Sequence, residues 1–154
     1  MSEPCLVLTS TTNATGMERR FVGETAPVTF RVPTGPVRPA WEPRVVERLD
    51  ALRALGPGWN ADGDAERVSE AAYELACEIV NAVAILHPQT VAPEALPLAD
   101  GGLSLTWSDR SEVEIHVTAD GKAFFAMPSV GPDWQGDRRD LPRLANTIAA
   151  TSRL

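Results

Sequence analysis

Residues 69–86, SEAAYELACEIVNAVAIL, decide the fold. Laid out at ~100° per residue, Ala72, Leu75, Ala76, Ile79, Val83 and Leu86 recur at i, i+3, i+4 and share one face, which marks an amphipathic helix with a core stripe. Glu70, Glu74 and Glu78 repeat every four residues and form a ridge roughly 150° around the axis, facing solvent. Ser69 is the expected N-cap, and His87 with Pro88 closes the helix. Glu70 suits the positive end of the helix dipole. Glu74 and Glu78 lie too deep for that, and like charges at i, i+4 cost a few tenths of a kcal/mol. No Lys or Arg stands four residues from any ridge glutamate, so the ridge reads as unpaired.

The preceding loop, GPGWNADGDAE, carries Asp62, Asp64 and Glu66 toward the same end of the helix. Between Gly56 and Asp100 eight acids face a single base, Arg67, so this segment carries the entire formal charge of −7. A chain with 21 acids, 14 bases and pI near 4.8 argues against non-specific nucleic-acid binding, which rests on phosphate neutralisation by Lys and Arg, and suits a basic partner. Asn60, Asp62, Asp64 and Glu66 alternate as in the beginning of a calcium loop. No glycine occupies the sixth place, however, and the twelfth is Ala71. Solvated capping residues are the simpler account.

Outward from this centre, the 154 residues suit one domain with its own core. Residues 41–154 form the expected α+β core, with 1–40 contributing N-terminal strands and a Pro-rich linker to the same domain. Cys5–Thr9 is a short apolar strand. Val28, Phe30 and Val32 alternate with Thr29 and Arg31 between Pro27 and Pro33, which marks an edge strand. Val45, Val46, Leu49, Leu52 and Leu55 give a helix over 44–55, begun by Pro43 and stopped by Gly56-Pro57. Downstream, Leu103, Leu105 and Trp107, then Val113, Ile115 and Val117, alternate with polar residues as two strands. Residues 122–127 (KAFFAM) form a third, apolar on both faces, and Asp120-Gly121 is the hairpin turn before it. Trp134 falls in a loop. Leu141, Leu144, Ala145 and Ile148 place a last helix over 140–152, capped by Asp140. The expected fold is therefore an antiparallel β-meander with three helices packed on it.

Two cysteines make no disulfide framework, no run of ~18 apolar residues exists, and no cleavable leader is seen, so a cytoplasmic protein without a membrane segment is expected. None of the common nucleophile, phosphate-loop or zinc motifs is present. Glu114 and His116 share a strand face at i, i+2 and could serve as a general base pair, although ordinary alternation places the same residues there. Cys77 lies among acids, which raise a thiol's pKa, and is read as inert.

Gly58-Trp59-Asn60-Ala61-Asp62-Gly63, the helix from Ser69, Pro93, Asp100-Gly101-Gly102-Leu103-Ser104-Leu105-Thr106-Trp107 and Asp120-Gly121 together resemble a group of small, largely uncharacterised bacterial proteins. That group shares a W-D-G-x-G loop, a helix and a D-G-G-I-x-L-E-W strand followed by a hairpin. The resemblance spans Leu49 to Met127. This chain departs from it with Asn60 for Asp, Ala61 for Gly and Thr106 for Glu. No chemistry is established for the group; an association with mobile or defence gene neighbourhoods implies an antitoxin or immunity role.

The expected function is thus a non-enzymatic acidic module that binds and masks a basic toxin or effector. Trp59, Asp62, Asp64, Glu66, Glu70, Glu74 and Glu78 form the expected partner surface, with no catalytic residue, metal or cofactor assigned. The alternatives are an acidic chaperone-like homodimer, or a small hydrolytic or metal-dependent enzyme using Asp62, Asp64, Glu66 or His116.

Overall fold

A computed structural model of the chain describes residues 37–125, 135–136 and 138–152. By its contacts the chain divides between Val37 and Arg38, and every helix and strand among the described residues belongs to the unit Arg38–Leu154. The strands expected at 5–9 and 28–32, and Trp134, lie outside the described residues.

The central helix forms as its periodicity requires, except that Leu86, assigned to the core stripe, is 45% exposed in the last turn. It spans Glu70–Leu86 (α2), with Ser69 in extended backbone as N-cap accepting the Ala72 N–H, and it buries Ala72, Leu75, Ala76, Ile79, Val80, Val83 and Ala84. A first helix, α1, spans Glu42–Arg53, starting two residues before the expected position because Pro43 is accommodated in the first turn. Val45, Leu49 and Leu52 face the core, whereas Val46 is 36% exposed and stands off the stripe assigned to it.

The sheet has five antiparallel strands in sequential order: β1 (Glu94–Pro97), β2 (Leu103–Ser108), β3 (Glu112–Val117), β4 (Ala123–Phe125) and β5 (Gln135–Gly136). Strands β1 and β5 were not expected. Four residues bounded by prolines and a two-residue pairing carry too little alternation to register. The hairpin between β3 and β4 falls where the Asp120-Gly121 pair predicts. Ala119 and Asp120, however, form the centre of the turn, closed by the Gly121 N–H on the Thr118 carbonyl at 2.9 Å, and Gly121 follows with φ of +79°. β4 lies inside the sheet between β3 and β5.

Helix α3 spans Leu141–Thr151, behind a short 3-10 turn at Arg138–Asp140. Asp140 does not cap it. Its φ of −98° and ψ of 5° lack the extended geometry that aims a cap side chain at the first N–H groups, and it makes no side-chain cap bond. The core joins the α1, α2 and α3 stripes to Leu103, Leu105, Trp107, Val113, Ile115 and Val117 of the sheet. This is an α+β fold, with an antiparallel meander and three helices. Among the described residues no helix is long and apolar enough to cross a membrane.

Candidate functional site

The acidic loop is rigid because other turns of the chain hold it. Gly58 donates to the Ala65 carbonyl at 2.7 Å, closing the loop, and the Asn60 side chain fills it. Asn60 Oδ1 accepts the N–H groups of Asp64 and Ala65 at 3.1 and 3.0 Å, while Nδ2 donates to Asp64 Oδ1 at 2.6 Å. The asparagine that departs from the resembled motif is therefore the residue that organises this loop. The Trp59 indole N–H donates back to the Glu66 carbonyl at 3.1 Å, so this half-buried side chain serves the loop internally. Glu66 and Ser69 then donate to Ala99 and Gly101, at 2.8 and 2.9 Å, tying the loop to the turn before β2. The Ser69 hydroxyl donates to Ala119 at 2.7 Å and brings in the third turn.

Each expected partner residue is thereby located. Asp62, Asp64, Glu66, Glu70 and Glu74 are exposed, and Glu78 is half-buried. The ridge is not unpaired, contrary to expectation: Arg53 Nη2 of α1 meets Glu70 Oε1 at 2.7 Å, and Glu74 and Glu78 are not without partners either. Spacing along α2 could not reveal this, because Arg53 belongs to a different helix. The same guanidinium lies 4.6 Å over the Tyr73 ring, and the Tyr73 hydroxyl donates to Asp50 Oδ1 at 2.5 Å. That bond pushes the Tyr73 pKa up to about 12, with Cys77 and burial adding to it. The Cys77 thiol is also pushed up. Burial is the main cause, a hydrogen bond with Tyr73 opposes it, and the Asp50 charge adds to it, so the acids are a lesser cause than the sequence implied. Among the described residues no three His, Cys, Asp or Glu side chains converge in a way that could hold a metal ion.

On the sheet face turned from the helices, the register sets Leu96, Ser104, His116 and Phe124 side by side across four strands. Ser104 Oγ donates to Glu114 Oε1 at 2.8 Å, and His116 Nε2 lies 2.8 Å from the same oxygen. Ser104 first, then His116, holds the Glu114 carboxyl below its ordinary pKa. Serine and imidazole both bind the carboxylate rather than each other. A general base must itself lie within reach of the proton it takes, and here the Ser104 hydroxyl donates to Glu114 and not to the imidazole.

A cleft of about 860 Å³ opens at the other end of α2, between the start of α1 and residues 88–95. Trp41 lines it and fixes its far wall by donating its indole N–H to the Thr90 carbonyl at 2.7 Å. Arg44 and Arg48, one helical turn apart, also line it, and Arg48 Nε reaches the Ala95 carbonyl of β1 at 3.3 Å. Thr90 is 6% exposed, and its hydroxyl has no hydrogen-bond partner among the described residues. A buried hydroxyl left unpaired costs about 1–3 kcal/mol. Sequence reasoning missed this site, since its two walls lie about fifty positions apart in the chain and neither carries a motif.

No protein-family model, curated protein or solved structure matches this chain.

Proposed function

We propose that this chain is a non-enzymatic protein-binding module of the antitoxin or immunity kind, whose acidic loop and helix start dock on a basic partner and mask it. The observation that carries the reading is a preorganised acidic surface. Asp62, Asp64 and Glu66 on the loop and Glu70 at the start of α2 are exposed within nine residues of chain, and the loop is fixed by hydrogen bonds to two other turns. A surface already ordered before binding loses little conformational freedom on association. Opposed charge then raises the association rate and selects the partner, while apolar neighbours supply affinity. The Arg53–Glu70 pair offsets part of the ridge's charge at the surface, so the loop acids carry more of the recognition than the ridge.

The test is a pull-down from a bacterial lysate at low and high salt, followed by affinity measurement with the retained protein. Wild type should hold a basic protein that high salt releases. The pair Asp62→Asn and Glu66→Gln, and separately the triple Glu70, Glu74 and Glu78→Gln, should each weaken it, the loop pair more strongly. Affinity for that protein unchanged at low salt in both variants would refute the proposal. Light scattering addresses the chaperone-like homodimer, which a monomeric mass excludes.

A further inference from the structure

We propose that the cleft between α1 and residues 88–95 binds a small organic anion, a carboxylate or phosphate carrying an apolar body. Its volume of about 860 Å³ falls within the range of small-molecule sites, roughly 300–1,000 Å³. Apolar walls come from Pro39, Val45, Pro88 and Pro93, with the Trp41 side chain among them. Two guanidinium groups stand in this lining against one carboxylate, Glu94, in a chain whose overall charge is −7. The local charge is thus opposite to that of the molecule, and an anion is the ligand it selects.

The arginines differ in their readiness. Arg48 is engaged with the Ala95 carbonyl, whereas the Arg44 side chain is exposed and makes no hydrogen bond or ion pair among the described residues. Arg44 is therefore the free donor, and a planar guanidinium matches carboxylate and phosphate oxygens in a two-pronged geometry. The Thr90 hydroxyl is an independent pointer. Thr90 lines the same cleft, and its hydroxyl is buried without a hydrogen-bond partner among the described residues. Arg44 and Val45, in the first turn of α1, line the same space. Trp41, pinned through its indole to Thr90, keeps the apolar wall in place before a ligand arrives.

The experiment is a titration of the full chain followed by proton–nitrogen NMR, reading the indole N–H of Trp41 and the side-chain N–H of Arg44 and Arg48. The probes are octanoate, octyl phosphate and octanol. Saturable shifts at these groups are expected with both anions, and the tighter of the two identifies the preferred head group. Octanol should bind about tenfold or more weakly, and Arg44→Gln should weaken either anion by about tenfold, as loss of one charge-assisted hydrogen bond predicts. The Arg44 side chain is exposed and makes no hydrogen bond or ion pair among the described residues, so the variant should fold, which the dispersion of its spectrum verifies. No saturable shift at millimolar probe, equal binding of octanol, or equal binding by Arg44→Gln would each overturn the assignment.

Discussion

Ser69 and Ala119 stand 50 positions apart and are joined by a 2.7 Å hydrogen bond from the serine hydroxyl to the alanine carbonyl. The same oxygen accepts the Ala72 N–H at 3.0 Å. One hydroxyl therefore caps α2 and fastens the turn between β3 and β4 to it. Ser69→Ala should lower stability by about 1–3 kcal/mol, the sum of a lost cap and a lost buried bond, in urea unfolding with the slope unchanged. Ser69→Asp keeps the cap but sets an acceptor against the Ala119 carbonyl, and should recover little of the loss. Equal stability of wild type and Ser69→Ala would remove the dual role.

Two glycines with nearly equal backbone angles differ in what surrounds them. Gly63 has φ of +73° and open space where a Cβ would go, whereas Gly101 has φ of +82° and the Arg67 carbonyl oxygen 2.9 Å from that place. Gly63→Ala should cost about 1–2 kcal/mol, from the left-handed backbone alone. Gly101→Ala should cost measurably more, because a backbone atom must also move. Thermal melts of the two variants in one buffer compare them directly, and the reverse order would contradict the packing of this turn.

Tyr73 is the sole tyrosine of the chain and so reports on its own titration. The bond to Asp50, with Cys77 and burial adding to it, raises its pKa from 10.0 to about 12, which means the fold favours the protonated phenol. Its contribution to stability is complete below pH 10 and disappears as the pH climbs toward 12. Absorbance at the phenolate band should show a midpoint near 12 in wild type and a lower one in Asp50→Asn. Coincident midpoints would place the cause elsewhere.

Glu114 behaves in the opposite sense. Its carboxyl is held down chiefly by the Ser104 hydroxyl, with His116 second, so the charged form is favoured in the fold. The stability it contributes is present above the ordinary glutamate pKa of about 4.3 and fades as the pH falls through the depressed value. Carbon NMR of the side-chain carboxyl should find its midpoint raised in Ser104→Ala and raised less in His116→Gln. A larger effect of His116→Gln would invert the assigned order.

Where neighbours in sequence are neighbours in space, the fold was legible. The 3.6-residue stripe gave α2 to within a residue, and strict alternation located β2 and β3. Strand β1 escaped because Glu94–Pro97 is held by its register with Leu103–Thr106, a property of the partner strand. The candidate site divides in the same way. The loop acids stand exposed where their polarity placed them, but Arg53 beside Glu70 and Tyr73 beside Asp50 depend on how α1 crosses α2. The arginine cleft depends on that packing too, because residues 39–48 and 88–95 meet only after the helices have docked.

The convergence of three turns at the start of α2 has a consequence for how the molecule opens. The amides of Gly58, Glu66 and Ser69 lie in loop sequence, where rapid exchange with solvent hydrogen is the ordinary expectation, yet Gly58 is bonded across the loop to Ala65, and Glu66 and Ser69 are bonded to the turn before β2. Releasing Ser69 from Gly101 frees the approach to β2, and releasing its hydroxyl from Ala119 frees the β3–β4 turn, so helix and sheet cannot part locally at this corner. These three amides should exchange as slowly as those in the middle of α2, which makes the corner part of the last unit to unfold. An acidic loop with the kinetic stability of a core helix would keep its shape on the surface it presents.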